Sequence, residues 1–88
     1  HLGAGVILSN VRADRKNILL KNIDGSQVDT HKMKLGAIIG DTVEIGCNAV
    51  INPGSIIGKN TMIYPLSMVR GTIEKNHIVK QLEIIHKH

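Results

Sequence analysis

The feature that most constrains this chain is an aliphatic residue at every sixth position of its second half. The series consists of Ile39, Ile45, Ile51, Ile57, Ile63 and Val69. A small or β-branched residue follows four positions after each of the first five members, namely Val43, Ala49, Ser55, Thr61 and Ser67. Neither the period of an α-helix nor that of a β-strand produces this spacing. A hexapeptide period is typical of a parallel β-helix, in which each hexad forms a short strand and a turn.

The residues that directly follow the aliphatic positions support the same architecture. Small or turn-forming residues, which suit tight corners, occupy four of these positions: Gly40, Gly46, Asn52 and Gly58. Tyr64 and Arg70 occupy the same phase and do not fit that explanation. A β-sandwich is the alternative, but its strands should alternate polar and apolar residues and their spacing should drift. We therefore predict an all-β chain in which three hexads close each triangular coil and the aliphatic residues point inward.

The same pattern opens the chain and is then interrupted over residues 10–34. Leu2 and Leu8 carry the six-residue spacing, whereas the interruption is polar and basic. Within it, Asp24-Gly25 lies between two apolar stretches, which predicts a small hairpin or an extended loop. Long loops inside compact domains are usually functional or disordered. We expect an arm that leaves the coil and reaches a neighbouring subunit.

The predicted domain boundaries follow from where the spacing stops. We predict a β-helix domain over residues 1–75, including the insertion at 10–34, and a capping tail over residues 76–88. A few coils bury little apolar surface and leave unpaired backbone at their ends, so we expect association with other subunits. Because the pattern is already running at His1, we expect the chain to be a fragment of a longer polypeptide.

Composition and charge narrow the classes of function. The net charge is +4, with basic residues concentrated between Arg12 and Lys34, but no aromatic residue lies there to stack bases, so we expect no nucleic-acid partner. No apolar run approaches the roughly 18 residues of a membrane-spanning helix, so we expect no membrane contact. A single cysteine, Cys47, favours a reducing, cytoplasmic location. The five histidines all lie outside the regular coils, so we predict no metal in this domain.

Two segments resemble a known family. Residues 2–10 read Leu-Gly-Ala-Gly-x-Ile-x-x-Asn, and residues 38–46 read Ile-Ile-Gly-Asp-x-Val-x-Ile-Gly. Together they are similar to the C-terminal domain of bifunctional N-acetylglucosamine-1-phosphate uridyltransferase/glucosamine-1-phosphate acetyltransferase. Residues 45–58 and 63–71 resemble related sugar-1-phosphate nucleotidylyltransferase-like proteins with a hexapeptide tail. The resemblance implies a left-handed β-helix.

The resemblance also implies a function and its site. It implies a homotrimer, fused to an N-terminal nucleotidyltransferase domain of the same chain, that transfers acetyl from acetyl-CoA to an amino-sugar phosphate in nucleotide-sugar biosynthesis. Asn10 matches a residue that contacts the amino sugar, Lys16 a residue that binds its phosphate, and His1 a residue near the sugar. The acetyl-CoA groove would be lined by Ala4, Cys47 and Pro65. The family's catalytic histidine lies upstream of these motifs, so no catalytic residue is assigned within the chain.

Other interpretations stay open for the site residues and for the domain. Asn10 also suits a turn that ends a coil, Lys16 suits a solvated loop, and Cys47 is better explained as a small groove-lining residue than as a nucleophile. Val11 replaces an aromatic of the family, and the residues after it depart from the family's Asp-Gly. The alternative function is a non-catalytic trimerisation domain of a sugar-1-phosphate nucleotidylyltransferase.

Overall fold

The computed structural model describes residues 1–80, which form short β-strands and turns without any helix. The strands are β1 (Ile7–Leu8), β2 (Leu19–Lys21), β3 (Gln27–Asp29), β4 (Ile38–Ile39), β5 (Glu44–Ile45), β6 (Val50–Ile51), β7 (Ile56–Ile57), β8 (Met62–Ile63), β9 (Met68–Val69), β10 (Thr72–Ile73) and β11 (Ile78–Val79).

Three parallel sheets form the three sides of a coil. Their strand orders are β1-β6-β9, β10-β7-β4 and β11-β8-β5. Ile39 pairs with Ile57, Ile45 with Ile63, and Ile51 with Val69, so equivalent residues recur after three hexads. This confirms the prediction of an all-β, left-handed parallel β-helix built from hexapeptide repeats.

The core is a column of aliphatic side chains along the coil axis. The predicted inward aliphatic residues are buried from Ile45 onward, and so are the small or β-branched residues that follow them: the buried positions include Ile45, Ile51, Ile57, Ile63, Val69, Val43, Ala49, Ser55, Thr61 and Ser67. Ile39, at the first coil, is half-buried and packs against this column. The strands of the coil are two residues long, and the strand register places each inward side chain opposite its equivalent in the neighbouring coil.

Two glycines that directly follow aliphatic positions, Gly40 and Gly58, lie against the backbone of the next coil. A Cβ on Gly40 would lie 2.8 Å from the Lys59 backbone nitrogen, and one on Gly58 would clash with the Lys75 backbone nitrogen. Arg70 follows β9, which is an edge strand of its sheet within residues 1–80, and its side chain is exposed. The ring of Tyr64 lies under the Lys80 ammonium group, 5.0 Å from its centroid.

The coil continues beyond the predicted boundary at residue 75. Thr72 and Ile73 pair with β7, and Ile78 and Val79 pair with β8, so these residues add two further strands. The spacing resumes after a step of four residues, from Val69 to Ile73, because the corner between β9 and β10 contains only two residues. The coil therefore includes residues 76–79, which we expected in the capping tail. The predicted cap over residues 81–88 lies outside the described residues.

The sequence predicted either a small hairpin or an extended loop for the insertion, and the structure contains an antiparallel hairpin. Strands β2 and β3 pair with Leu20 opposite Val28. In the turn, one carboxylate oxygen of Asp24 accepts hydrogen bonds from the Ser26 backbone N–H at 2.9 Å and from the Ser26 hydroxyl at 2.7 Å. Gly25 adopts φ 91°, which glycine permits without a Cβ clash.

The root of this arm packs on its own coil. Ile18 is the buried anchor, with 1% of its surface exposed, and its Cγ2 lies 2.8 Å from where a Cβ of Gly54 would be. The Thr72 hydroxyl donates a hydrogen bond to the Lys21 carbonyl oxygen at 2.5 Å. The hairpin tip, including Ile23, is exposed. Contact of this tip with a neighbouring subunit stays a prediction.

Candidate functional site

The structure brings together the three residues expected to line a cofactor groove. Ala4, Cys47 and Pro65 occupy the same corner in successive coils. The Asn48 N–H donates to the Ala4 carbonyl oxygen at 3.0 Å, and the Leu66 N–H donates to the Cys47 carbonyl oxygen at 3.0 Å. All three side chains are small, uncharged and exposed. We call this strip the Ala4–Cys47–Pro65 corner.

One residue of this corner escaped the sequence analysis. Leu66 has φ 64° and leaves 75% of its surface exposed. The equivalent positions hold Gly5 and Asn48, which tolerate the left-handed conformation better than a leucine does. The six-residue spacing gives no sign of this strain, because the strain arises from the backbone φ angle of Leu66. Leu66 therefore adds an apolar projection beside Pro65.

Lys16 lies in the root of the arm among other cations. It lines a small cleft together with Arg12 and Arg15. Asp14 organises this segment: its carboxylate accepts a hydrogen bond from the Lys16 backbone N–H at 3.0 Å and from the Arg12 guanidinium at 2.6 Å. These contacts, the backbone hydrogen bond foremost, lower the pKa of Asp14 below its usual 3.8. The Lys16 and Arg15 side chains are exposed and form no ion pair within residues 1–80.

Asn10 and His1 lie apart from that corner and from each other. Asn10 stands where the chain leaves β1 for the arm; its side chain is exposed and its carbonyl oxygen accepts a hydrogen bond from the Leu35 N–H at 3.0 Å. His1 lies beside β5, where its carbonyl oxygen accepts a hydrogen bond from the Ile45 N–H at 2.9 Å. Within one chain, the residues expected to line the acetyl-CoA groove therefore lie together. The residues expected to bind the amino-sugar phosphate do not.

A single sheet face separates the two locations. The Ala4–Cys47–Pro65 corner precedes the face formed by β1, β6 and β9, and Asn10 follows it. Six residues from Ala4 to Asn10 span at most about 20 Å. The outward side chains of this face are apolar: Ile7 and Met68 are exposed, and Val50 between them is half-buried.

The histidines of the described chain are not gathered into a metal site. No group of three histidine, cysteine, aspartate or glutamate side chains within residues 1–80 is placed to hold a metal ion. His77 Nδ1 lies 2.8 Å from the Lys75 carbonyl oxygen, and His31 Nδ1 lies 3.9 Å from Asp29. Residues 1–80 also contain no helix of the length and apolarity required to cross a membrane.

Comparison with known proteins agrees with the coil geometry. Residues 36–71 match the family model of the bacterial transferase hexapeptide (six repeats). A bifunctional sugar-1-phosphate nucleotidylyltransferase/acetyltransferase of Sulfurisphaera tokodaii is 39% identical over 69 residues, covering 78% of this chain and 17% of that protein. The bifunctional protein GlmU of Methanococcus vannielii is 36% identical over 88 residues, covering 99% of this chain and 21% of that protein.

A third relative has a different name. The putative uncharacterized acetyltransferase YaiX of Escherichia coli K12 is 36% identical over 76 residues, covering 86% of this chain and 31% of that protein. The chain thus spans between a sixth and a third of the length of these three relatives. Its matched repeats and its three-sided coil show that the chain contains a hexapeptide-repeat β-helix, and these similarities relate it to the C-terminal domain of the bifunctional sugar nucleotidylyltransferase/acetyltransferases.

Proposed function

We propose that this domain transfers an acetyl group from acetyl-CoA to the amine of an amino-sugar phosphate. It would act in the cytoplasm as a homotrimer, within a longer chain that carries an N-terminal nucleotidyltransferase domain and serves nucleotide-sugar biosynthesis. The observation that carries the proposal is the alignment of Ala4, Cys47 and Pro65 along one exposed corner, since these are the residues that the resemblance assigns to the acetyl-CoA groove.

The donor side is suited to an extended, uncharged ligand segment. Neighbouring strands of a sheet lie about 4.8 Å apart, so three stacked corner residues span roughly 10 Å along the axis. Their side chains project little and carry no charge. The amide-containing arm of acetyl-CoA matches such a strip in length and polarity, and Leu66 offers it an apolar contact.

The acceptor side is suited to a phosphorylated sugar. Lys16 and Arg15 provide exposed cations for charge-assisted hydrogen bonds to phosphate, and Asn10 provides an amide for the sugar. His1 would lie near the sugar of a neighbouring site. Asp14 holds the backbone of this segment through its bond to the Lys16 N–H, so the cations are carried on an ordered loop.

The Ala4–Cys47–Pro65 corner and the arm root are separated by a sheet face within one chain, which supports assembly of the site from two subunits. The donor corner and the arm root border opposite edges of the β1-β6-β9 face. They meet if the corner of one copy packs beside the arm root of the next, which is a head-to-tail contact that three copies can close. Such packing would also cover Ile7 and Met68.

The reaction requires the amine nitrogen to attack the thioester carbonyl carbon. A carbon–nitrogen bond forms, the carbon–sulfur bond breaks, CoA leaves as the thiol, and the amine gives up one proton. The developing oxyanion requires a hydrogen-bond donor aimed at it, and we assign no residue of this chain to that role. The base that takes the proton is not assigned to this chain, in keeping with the upstream position of the family's histidine.

The donor side is tested by calorimetric titration of the purified protein with acetyl-CoA. Cys47→Trp places a bulky ring on the strip and is expected to abolish binding while the mass in solution stays that of a trimer. Lys59→Trp is the matched control, because Lys59 holds the equivalent place in another corner, before the left-handed Asn60. A wild-type trimer that does not bind acetyl-CoA would establish the alternative, a non-catalytic trimerisation domain.

The acceptor side is tested in the longer polypeptide with glucosamine 1-phosphate as acceptor. Lys16→Ala is expected to raise KM about 10- to 100-fold, as for the loss of a charged hydrogen bond. Asn10→Ala is expected to lower kcat/KM about tenfold or more. Lys59→Ala should change neither value. Equal losses in Lys16→Ala and Lys59→Ala would contradict the assignment.

A further inference from the structure

A concavity lies between the arm and its own coil. One wall is the arm root, with Arg12, Leu19 and Lys21; the other is the coil corner, with Pro53 and Arg70. Its volume is about 640 Å³, within the range of small-molecule sites. It lies away from the Ala4–Cys47–Pro65 corner, and neither Asn10 nor Lys16 lines it.

This groove is built by an irregularity of the coil. The corner between β6 and β7 has four residues, whereas the corner above it, between β9 and β10, has only Arg70 and Gly71. The shortened corner leaves the space where the arm docks. A Cβ on Gly71 would meet no atom within 4 Å, so the groove stays open at this point.

The two walls are held in fixed relation to each other. Ile18 packs on Gly54 at the lower corner, and the Thr72 hydroxyl bonds to the Lys21 carbonyl oxygen beside the upper one. Asn52 fixes the coil wall, because its side-chain amide donates to the Val69 carbonyl oxygen at 3.0 Å. Arg70 is two residues before Thr72, so the backbone of Arg70 lies within about 10 Å of Lys21.

The groove is positively charged. Its charged lining residues are Arg12, Asp14, Lys21 and Arg70. Asp14 is engaged by Arg12, so those two charges offset each other. The side chains of Lys21 and Arg70 form no ion pair or hydrogen bond within residues 1–80. Two cations without partners therefore stand on opposite walls of one groove, next to the apolar surfaces of Leu19 and Pro53.

We propose that this groove binds the phosphate group of a small organic phosphate between Lys21 and Arg70, with the organic part against Leu19 and Pro53. The proposal does not rest on acetyl transfer. The phosphate comes either from a sugar phosphate or from the diphosphate of a nucleotide-like ligand such as CoA. The chemistry shared by both sources is a phosphate anion that accepts charge-assisted hydrogen bonds from two cations.

Inorganic diphosphate is the first probe, titrated calorimetrically into the protein at low ionic strength. We expect saturable binding, with affinity at least tenfold lower in Lys21→Ala and in Arg70→Ala. Lys75→Ala and Lys59→Ala, which remove exposed cations of other corners, should bind as the wild type does. Absence of binding, or equal weakening in all four variants, would overturn the proposal, because the effect would then be one of overall charge.

Amide chemical shifts locate the bound probe. Diphosphate should shift the N–H signals of Gly54 and Gly71 in the wild type and leave those of Gly40 and Gly46 in place. Shifts at Lys16 alone would overturn the proposal. Competition against diphosphate then identifies the source: displacement by glucosamine 1-phosphate indicates a sugar phosphate, and displacement by CoA but not by glucosamine 1-phosphate indicates a nucleotide-like diphosphate. Failure of both to compete would limit the site to inorganic anions and would contradict an organic ligand.

Discussion

The coil and the inserted arm of this chain are stabilised in different ways. In the coil, buried side chains such as Ile51 and Ile57 repeat with the period of the fold, and each supports the coils on both sides. Within the arm, residues 10–34, Ile18 is the one buried side chain. The rest of the arm is held by turn contacts such as those of Asp24 with Ser26. The coil is therefore specified by repetition, whereas the arm is specified by local turn chemistry and a single anchor.

The largest expected effect comes from a cavity in the coil. Ile57 is 1% exposed and belongs to β7, which pairs on both sides with β4 and β10. Ile57→Ala should lower the free energy of unfolding by about 2–5 kcal/mol, as for other buried isoleucines. Urea denaturation followed by circular dichroism measures it. Ile38→Ala, at an outward position of β4 that is 53% exposed, should cost less than about 1 kcal/mol; equal losses would mean that the coil is not held by its interior.

A methyl group at a covered corner should be the next most damaging change. In Gly58→Ala the added Cβ meets the backbone of Lys75, which cannot move without displacing the next coil. We expect a loss of about 1–3 kcal/mol, typical of overpacking. Gly36→Ala is the matched control, since its Cβ would meet no atom within 4 Å and should be neutral. Thermal unfolding of the pair compares them, and a neutral Gly58→Ala would show that the coils are less closely stacked.

Removing the anchor of the arm should leave the coil intact. In Ile18→Ala the arm loses its buried contact with Gly54, so the amides of Ile18 and Thr30 should exchange with solvent faster, by about tenfold or more. The urea midpoint of the coil should change by much less than in Ile57→Ala. Ile23→Ala, at the exposed hairpin tip, should alter neither quantity. Global unfolding of Ile18→Ala would show that arm and coil form one cooperative unit.

The smallest effect concerns the pH dependence of the arm root. Because its pKa is lowered in the folded chain, Asp14 stays ionised on acidification until the pH falls below 3.8. Its contacts with Lys16 and Arg12 are thus kept from neutral pH down to that value and lost only as the pH falls through the lowered pKa. A carbon-detected NMR titration of the carboxyl group reports the midpoint. A midpoint at or above 3.8 would contradict the hydrogen bonds seen here.

The periodic part of the fold was predictable because it obeys one rule. Six-residue spacing identified the inward residues from Ile39 to Val69, since only inward positions need to be aliphatic in every coil. The same rule failed after Val69, because a corner shortened by two residues shifts the phase and hides Ile73 and Val79. Such a deletion is visible only in the pairing of strands, which the sequence does not display.

The site was predictable to a lesser degree. Resemblance assigned Ala4, Cys47 and Pro65 to one groove, and they stack at one corner because that corner belongs to the regular coil; their role in binding acetyl-CoA stays a prediction. It could not place Lys16 or Asn10 relative to them, since the arm follows no period and its docking depends on Gly54 and on Thr72, far along the chain. The roles of all these residues stay predictions until the binding experiments are done.

The three-hexad recurrence has a consequence for how such a chain changes in length. Addition or removal of three hexads leaves each later residue on the same side of the three-sided coil. The surfaces beyond the change therefore keep their orientation. Addition of one hexad instead turns everything beyond it by a third of a revolution, and Cys47 and Pro65 would no longer share an edge. Length variation in this architecture is therefore tolerated in whole revolutions or within a single corner, as in the short corner of Arg70 and Gly71 and in the arm, where the chain returns to the edge that it left.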